Sequence, residues 1–272
     1  AGGVPGKDKV PKGVEVFMLD YKVRWPVSLV VSKRAITKYQ LIFRLLFFAR
    51  HVERCLKATW KAHQGMKELN VRAAAGRSYC LRHCMLGFMQ NVVYYMTYEV
   101  VEPRWHEMEA QLQSAKTMDD VLEFHSKMQD TVLEECLLTN KELLNVLNKI
   151  MLICLLFSEN MNKFLDSHNI DQDRMALAVW EDGREGQGPQ RPSDVDSATL
   201  RRERIEAQSN QKTIELRQKG YVQMIKKYED NFNRLHKDLM TRLAEHSRVH
   251  KNQHLMNLVT RLNYNAFFPM ST

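Results

Sequence analysis

Residues 32–62 read SKRAITKYQLIFRLLFFARHVERCLKATWKA. Ser32 is a candidate N-cap, since a serine hydroxyl can accept one of the orphan amides of a first helical turn. Ile36, Tyr39, Phe43, Leu46, Arg50, Arg54 and Trp60 fall near helical spacing, and Leu41, Ile42, Leu45 and Phe47 widen the apolar face. The stretch predicts one long helix ending near Ala62. Most of the sequence beyond it has the same period, so the chain is expected to be all-α, an elongated bundle of long helices.

A second helix is expected from about Arg72 through Cys80, Phe88, Val92 and Tyr95 to Glu102, where Pro103 either ends or kinks it. Thr117-Met-Asp-Asp120 reads as a cap ahead of Val121, Leu122, His125, Met128 and Val132. Thr139-Asn-Lys-Glu142 matches a capping box, with Thr139 bonding the third helical amide and Glu142 reaching back. The helix behind it, roughly Lys141 to Ser167, is apolar nearly all round between Val146 and Phe157 and belongs at a bundle centre. A last long helix is expected over about Thr199 to Arg248, then a short one through Leu255, Leu258 and Leu262.

One segment breaks the pattern. Phe17 to Pro26, FMLDYKVRWP, alternates with the two-residue period of a half-buried strand, and Pro26 stops it because it cannot donate to a ladder. Its Tyr21, Val23 and Trp25 side is expected to pack onto the bundle and fix the entry of the first long helix. In outline, 1–13 is a flexible lead and 14–178 the first part of a helical domain. The Gly-, Pro- and charge-rich 179–198 reads as a disordered surface loop, 199–268 as helices of the same domain with an aromatic end that docks back, and 269–272 as a tail.

A hydrophobic content of 44% suits a chain with a real core. The opening Ala-Gly-Gly-Val-Pro-Gly has no signal-peptide pattern and reads as a loop at which a longer protein was cut. The longest apolar runs, Leu45 to Ala49 and Ile150 to Phe157, fall far short of the roughly 20 residues that span a bilayer, so a soluble, intracellular chain with no membrane partner is expected. Cys55, Cys80, Cys84, Cys136 and Cys154 lie in apolar helical patterns without framework spacing, which predicts reduced, buried thiols.

Charge is segregated. Residues 1–82 carry 17 Lys/Arg and 5 Asp/Glu, a net of +12; residues 83–170 carry 6 and 13, a net of −7. Such asymmetry suits a protein that meets charged neighbours on different faces.

Catalytic chemistry has no visible seat. Cys80-Leu-Arg-His83-Cys84 lacks the second Cys pair of a structural zinc site. His246, His250 and His254 are spaced by four, yet their neighbours Ser247, Arg248, Lys251 and Asn252 mark a solvated stretch. No Glu-x-x-His occurs, as a di-iron bundle requires, nor any phosphate loop or nucleophile elbow. Neither cofactor nor metal is expected.

Two surfaces stand out instead. Over residues 33–61, Lys33, Arg34, Lys38, Arg44, Arg50, Arg54, Lys57 and Lys61 face a single acid, Glu53. Arg44 interrupts the apolar run LIFRLLFF, where an unpaired charge is costly, so it needs an acidic partner in this chain or another. Tyr94, Tyr95 and Tyr98 crowd into five residues before Glu99 and Glu102, and some of those hydroxyls should reach an interface. A helical adaptor or a nucleic-acid-binding bundle would also use the +12 segment, but its aromatics lie in the apolar stripe and no recognition motif is present.

Tyr21-Lys-Val23-Arg-Trp25-Pro26, Ala35-Ile-Thr-Lys38-Tyr39-Gln40-Leu-Ile-Phe43-Arg44 and His51-Val-Glu-Arg54 are followed in order by Leu81-Arg82, Met85, Phe88, Gln90-Asn91, Tyr94-Tyr95, Glu99-Val100, Glu102-Pro103 and Trp105. Asp119-Asp120-Val121, His125, Leu138-Thr139 and the closing Arg261-Leu262-Asn263-Tyr264-Asn265 complete the series. Together, from about Val14 to Phe268, they resemble the C-terminal half of the gamma-tubulin complex components.

The resemblance implies a non-enzymatic helical domain that binds gamma-tubulin within a ring of sister components, component 3 among them, and displays it as a template for microtubule nucleation. Any GTP would belong to gamma-tubulin. Lys38, Arg44, Arg50, Arg54, Tyr94, Tyr95, Tyr98, Glu99 and Glu102 are then the candidate contacts. Tyr21, Val23, Trp25, Pro26, Tyr39, Asn263 and Tyr264 are expected to be structural. Two departures limit the carry-over: Gly183 to Asp196 is a variable insertion, and Asn263 stands where the family often has an acid.

Overall fold

A short helix α1 (Gly13–Val16) and a 3-10 turn at Val27–Leu29 lead into α2 (Lys33–Gly65), followed by α3 (Arg72–Tyr94), a π-helical stretch Tyr95–Val101, α4 (Glu102–Ser114), α5 (Met118–Glu135), α6 (Lys141–Asp182), α7 (Asp196–His250) and α8 (Gln253–Leu262). This computed structural model describes residues 13–65, 72–182, 196–250 and 253–263, and side chains for 13–14, 17–61, 76–163, 220–249 and 254–263. Among the described residues there is no strand, as the helical periodicity predicts. The helices run longer than their sequence signals: α6 spans 42 residues and α7 55. The expected loop at 179–198 therefore loses both ends to helix, and 183–195 lie outside the described residues. So do Tyr264 and the closing aromatic segment.

Two compact units are present. One is drawn from Ala1–Cys55, Met85–Leu152 and Arg234–Thr272, the other from Leu56–Cys84 and Ile153–Asn233. The first unit buries Ile42, Ala49, Val52, Met85, Phe88, Met96, Val132, Leu143, Ile150, Leu239 and Leu258, among others. Each fully buried side chain of Leu, Ile, Val, Met or Phe size contributes about 2 kcal/mol of transfer free energy. The second unit centres on Leu56, Phe157, Met161, Tyr221, Ile225 and Phe232, tied by polar contacts of Thr59 with Ser158 (2.6 Å), Tyr221 with Ser78 (2.8 Å) and Arg77 with Glu229 (2.6 Å).

Local expectations divide. The Thr117 capping box forms: Asp120 N–H donates to Thr117 Oγ1 at 3.2 Å and Thr117 N–H to Asp120 Oδ2 at 2.9 Å. At the next helix the cap moves one residue on, because Asn140 Oδ1 accepts from Glu142 N (3.0 Å) and Leu143 N (3.1 Å), displacing Thr139 from that role. The cause lies upstream. α5 closes with Leu137 N–H to Glu134 O (3.0 Å) and Leu138 N–H to Leu133 O (2.9 Å), a Schellman turn that consumes Leu137 and Leu138 and delays the new start.

Pro103 neither ends nor breaks the path. The chain widens into the π-helical stretch, where Glu102 N–H bonds Thr97 O, and α4 continues directly. A proline has no donor for the carbonyl four residues back and crowds it; a five-residue turn immediately ahead relieves both problems.

Burial corrects three further readings. Cys136 and Cys154 are buried and Cys55 half-buried, but Cys80 and Cys84 are exposed one turn apart on α3, because Leu81, Met85 and Phe88 take the inward-facing stripe of that helix. The apolar run of α6 is not enclosed on all sides, since Leu152 and Leu156 are 49% and 39% exposed. In the alternating segment, Tyr21 and Trp25 are 69% and 78% exposed, so these two residues do not pack inward as expected. On that same side the half-buried Val23 and Phe17 turn toward the fold: the Phe17 ring lies 6.0 Å from Phe43 and 5.4 Å from Phe47, and Gln40 Nε2 donates to Leu19 O at 2.9 Å.

Candidate functional site

The long helix α2 presents its outer side between two sets of contacts. Its inner side is fixed by Tyr39, whose Oη shares a 2.8 Å hydrogen bond with His125 Nε2 on α5, and by Gln129, which donates to Ala35 O at 3.1 Å. Burial raises the Tyr39 hydroxyl and lowers His125, the latter helped by the Lys38 charge, so the phenol stays protonated and the imidazole neutral. Tyr39 thus ties α2 to α5.

Lys38 is drawn inward with it. Its ammonium pairs with Asp130 at 2.6 Å and its side chain is only 13% exposed, so it is spent within the fold and leaves the candidate contact surface. Arg44 and Arg54 are exposed, and Arg50 is half exposed with Nη1 3.3 Å from Glu53. Arg50 and Arg54 sit one turn apart on one stripe, whereas Arg44 lies about 120° round the helix from Arg50. The basic helix therefore offers two flanks, and the stripe between them, Gln40, Phe43 and Phe47, is the one that Phe17 and Leu19 cover.

The tyrosine cluster separates in the same way. Tyr95 is fully buried and donates to Glu135 O at 3.3 Å, with burial holding its hydroxyl far above the usual range; it is a core residue and cannot meet a partner. Tyr94 and Tyr98 are exposed with ring centroids 5.0 Å apart. Arg261 of α8 lies over the Tyr94 ring at 4.6 Å and pairs with Glu99. Glu102 is exposed at the start of α4. The widened turn lets residues 94 and 98 project outward while Tyr95 and Met96 project inward.

Below this patch lies a charge network that the sequence did not announce. Arg104 donates to both Glu135 oxygens and to Glu107, and meets His254 Nε2 at 3.1 Å. These partners raise the Arg104 guanidinium above its ordinary value despite burial. His254 belongs to α8 and His246 to α7, while His250 ends α7, so the three histidines do not share one continuous helix. Among the described residues no group of three His, Cys, Asp or Glu side chains converges as metal ligands do, and no helix is long and apolar enough to cross a membrane.

Large apolar side chains stay in solvent around the entry to α2: Phe17, Met18, Leu19, Tyr21, Trp25, Val27, Leu29 and Leu41 are all exposed, next to Lys22, Arg24, Lys33 and Arg34. Val23 is half-buried and Pro26 exposed. Exposed apolar side chains rimmed by charge are the composition that interaction surfaces share. The alternation is visible in the sequence, but both of its sides are exposed, with Val23 alone half-buried, and nothing in the local pattern announces Val27 or Leu29.

Within the gamma-tubulin complex components, Val52-Glu53-Arg54, Met96, Glu102 to Trp105 and the run Leu137 to Leu144 are most similar to component 2, with component 3 the near alternative. Comparison with known proteins agrees with the first. The chain is 35% identical over 263 residues to mouse gamma-tubulin complex component 2, covering 94% of this chain and 28% of that protein. It is 42% identical over 160 residues to the Arabidopsis thaliana component 2, covering 58% and 24%, and 37% identical over 197 residues to the Schizosaccharomyces pombe spindle pole body component alp4, covering 65% and 25%. It thus spans about a quarter of the length of these relatives. A family model described as gamma tubulin complex component C-terminal matches residues 6–268, and the chain belongs to that family.

Proposed function

We propose that this chain is a non-enzymatic gamma-tubulin-binding domain, holding gamma-tubulin in a ring of sister components, component 3 among them, as a template for microtubule nucleation. It works at microtubule-organising centres such as a centrosome or spindle pole, within the cytoplasm. The observation that carries the reading is the first unit's surface, where exposed aromatic and aliphatic side chains lie beside exposed arginines. That is the composition of a protein-binding hot spot rather than of a substrate cleft. Membership of the gamma-tubulin complex component family supports gamma-tubulin as that partner.

Contacts follow from exposure. Arg44, Arg50 and Arg54 on the flanks of α2, and Tyr94, Tyr98 and Glu102 at the widened turn, are the residues assigned to meet gamma-tubulin. Glu99 is held by Arg261 and acts by positioning it over Tyr94. The test is a pull-down of purified gamma-tubulin with the 272-residue chain. Capture supports the reading; no capture by folded protein overturns it.

A further inference from the structure

Helix α3 carries two thiols that the fold leaves in solvent. Leu81, Met85 and Phe88 take its inward stripe, so Cys80 and Cys84 are both exposed, and both are free of disulfides. Residues four apart lie one above the other on a helix, with Cβ atoms about 5–6 Å apart. The two sulfurs are within hydrogen-bonding reach of each other. The other cysteines offer no such pair: Cys136 and Cys154 are buried, and Cys55 is half-buried beside His51. Arg77, one turn ahead of Cys80, pairs with Glu229 of α7 at 2.6 Å, and the Glu229 carboxylate lies close enough to act on Cys84 through its charge.

We propose that Cys80 and Cys84 bind one soft monovalent metal cation, of the Cu(I) class, through their two sulfurs. Ligand softness sets the choice of metals, because thiolates favour Cu(I), zinc and iron–sulfur clusters over hard cations. Ligand number then decides among them. Structural zinc takes four protein ligands and catalytic zinc three, and iron–sulfur clusters take four. Among the described residues no third His, Cys, Asp or Glu converges with the pair, and His83, next to Cys84 in the chain, does not complete such a group. Cu(I) is satisfied by two thiolates in line. On binding, two S–H bonds break and two S–Cu bonds form; both protons pass to solvent and no electron is transferred. The Glu229 carboxylate, held by Arg77, adds negative charge where the cation arrives. All four side chains belong to the second unit, whereas the surface assigned to gamma-tubulin belongs to the first, so loss of the cation and loss of gamma-tubulin capture are separate results.

The probe is Cu(I) itself, titrated without oxygen into the reduced 272-residue chain in competition with the coloured chelator bicinchoninate. The parent chain should withdraw one more Cu(I) than C80S/C84S, which keeps the other three cysteines. C80S and C84S alone should each bind about a hundredfold more weakly, since the second sulfur then no longer binds intramolecularly. Both positions are exposed, and circular dichroism checks the fold. A measurement on the parent chain needs no variant: one equivalent of Cu(I) should protect Cys80 and Cys84 from alkylation by N-ethylmaleimide, read by peptide mass. Equal uptake by the parent and C80S/C84S overturns the proposal, as does undiminished affinity in either single variant or unprotected alkylation of the pair. Displacement of the bound Cu(I) by an equal concentration of Zn(II) also overturns it, because a site that prefers zinc has more than two ligands.

Discussion

Arg104 grips Glu135 with two parallel hydrogen bonds, Nε to Oε2 at 3.1 Å and Nη2 to Oε1 at 2.7 Å, and the Glu135 side chain is only 6% exposed. The pair joins α4 to the end of α5, and His254 brings in α8. Removing the cation alone strands a buried carboxylate, so Arg104→Met should destabilise the chain by about 3 kcal/mol. Arg104→Lys keeps the charge but not the fork and should fall between. Urea unfolding followed by circular dichroism reads both.

Leu137 sits at φ 65° with its side chain buried, at the position of a Schellman turn that glycine usually holds. Truncation to Ala forfeits about 3 kcal/mol of packing and keeps the left-handed strain. Leu137→Gly loses the same packing but relieves about 1 kcal/mol of strain. The glycine variant should therefore be the more stable of the two, reversing the usual order for a buried site. Thermal melts of the two variants give the ranking.

Moving the α6 cap from Thr139 to Asn140 has a direct check. Asn140→Ala should cost about 1 kcal/mol, the ordinary value of an N-cap. Thr139→Ala should lie within about 0.5 kcal/mol of the parent. The opposite ranking in urea titrations would restore the threonine cap.

His236 is buried edge-on to Phe88, centroids 5.1 Å apart, and burial lowers it from its ordinary 6.5 to about 4. Its folded value lies below its unfolded value, so between those limits the unfolded chain binds more protons and stability rises with pH. Acidification from pH 7 to 4.5 should cost about 2 kcal/mol through this group. Comparing His236→Leu with the parent at both pH values isolates it: the variant should lose less stability on acidification by about that amount.

How much the sequence disclosed depends on the range of the interaction. Helix existence and the Thr117 cap were legible because both are written within a few residues. The Asn140 cap was missed because the turn ahead of it depends on Leu137 adopting a left-handed conformation that leucine rarely takes. The fates of Tyr95 and Lys38 were hidden for a different reason: what removes them from the surface, Glu135 and Asp130, lies 40 and 92 residues away in the chain. Tyr21 and Trp25 misled because alternation specifies two faces without saying that either is covered, and Met18, Asp20, Lys22 and Arg24 on the other face are exposed as well.

Gamma-tubulin binding through the first unit is tested most directly by titrating purified gamma-tubulin into the 272-residue chain and into its R50E/R54E and Y94A/Y98A variants, with sedimentation of the complex as the readout. Saturable binding by the parent chain, weakened about tenfold in either folded variant, is the predicted result. Absence of binding by the folded parent would contradict the function, and unchanged binding by both variants would contradict the surface assigned to it.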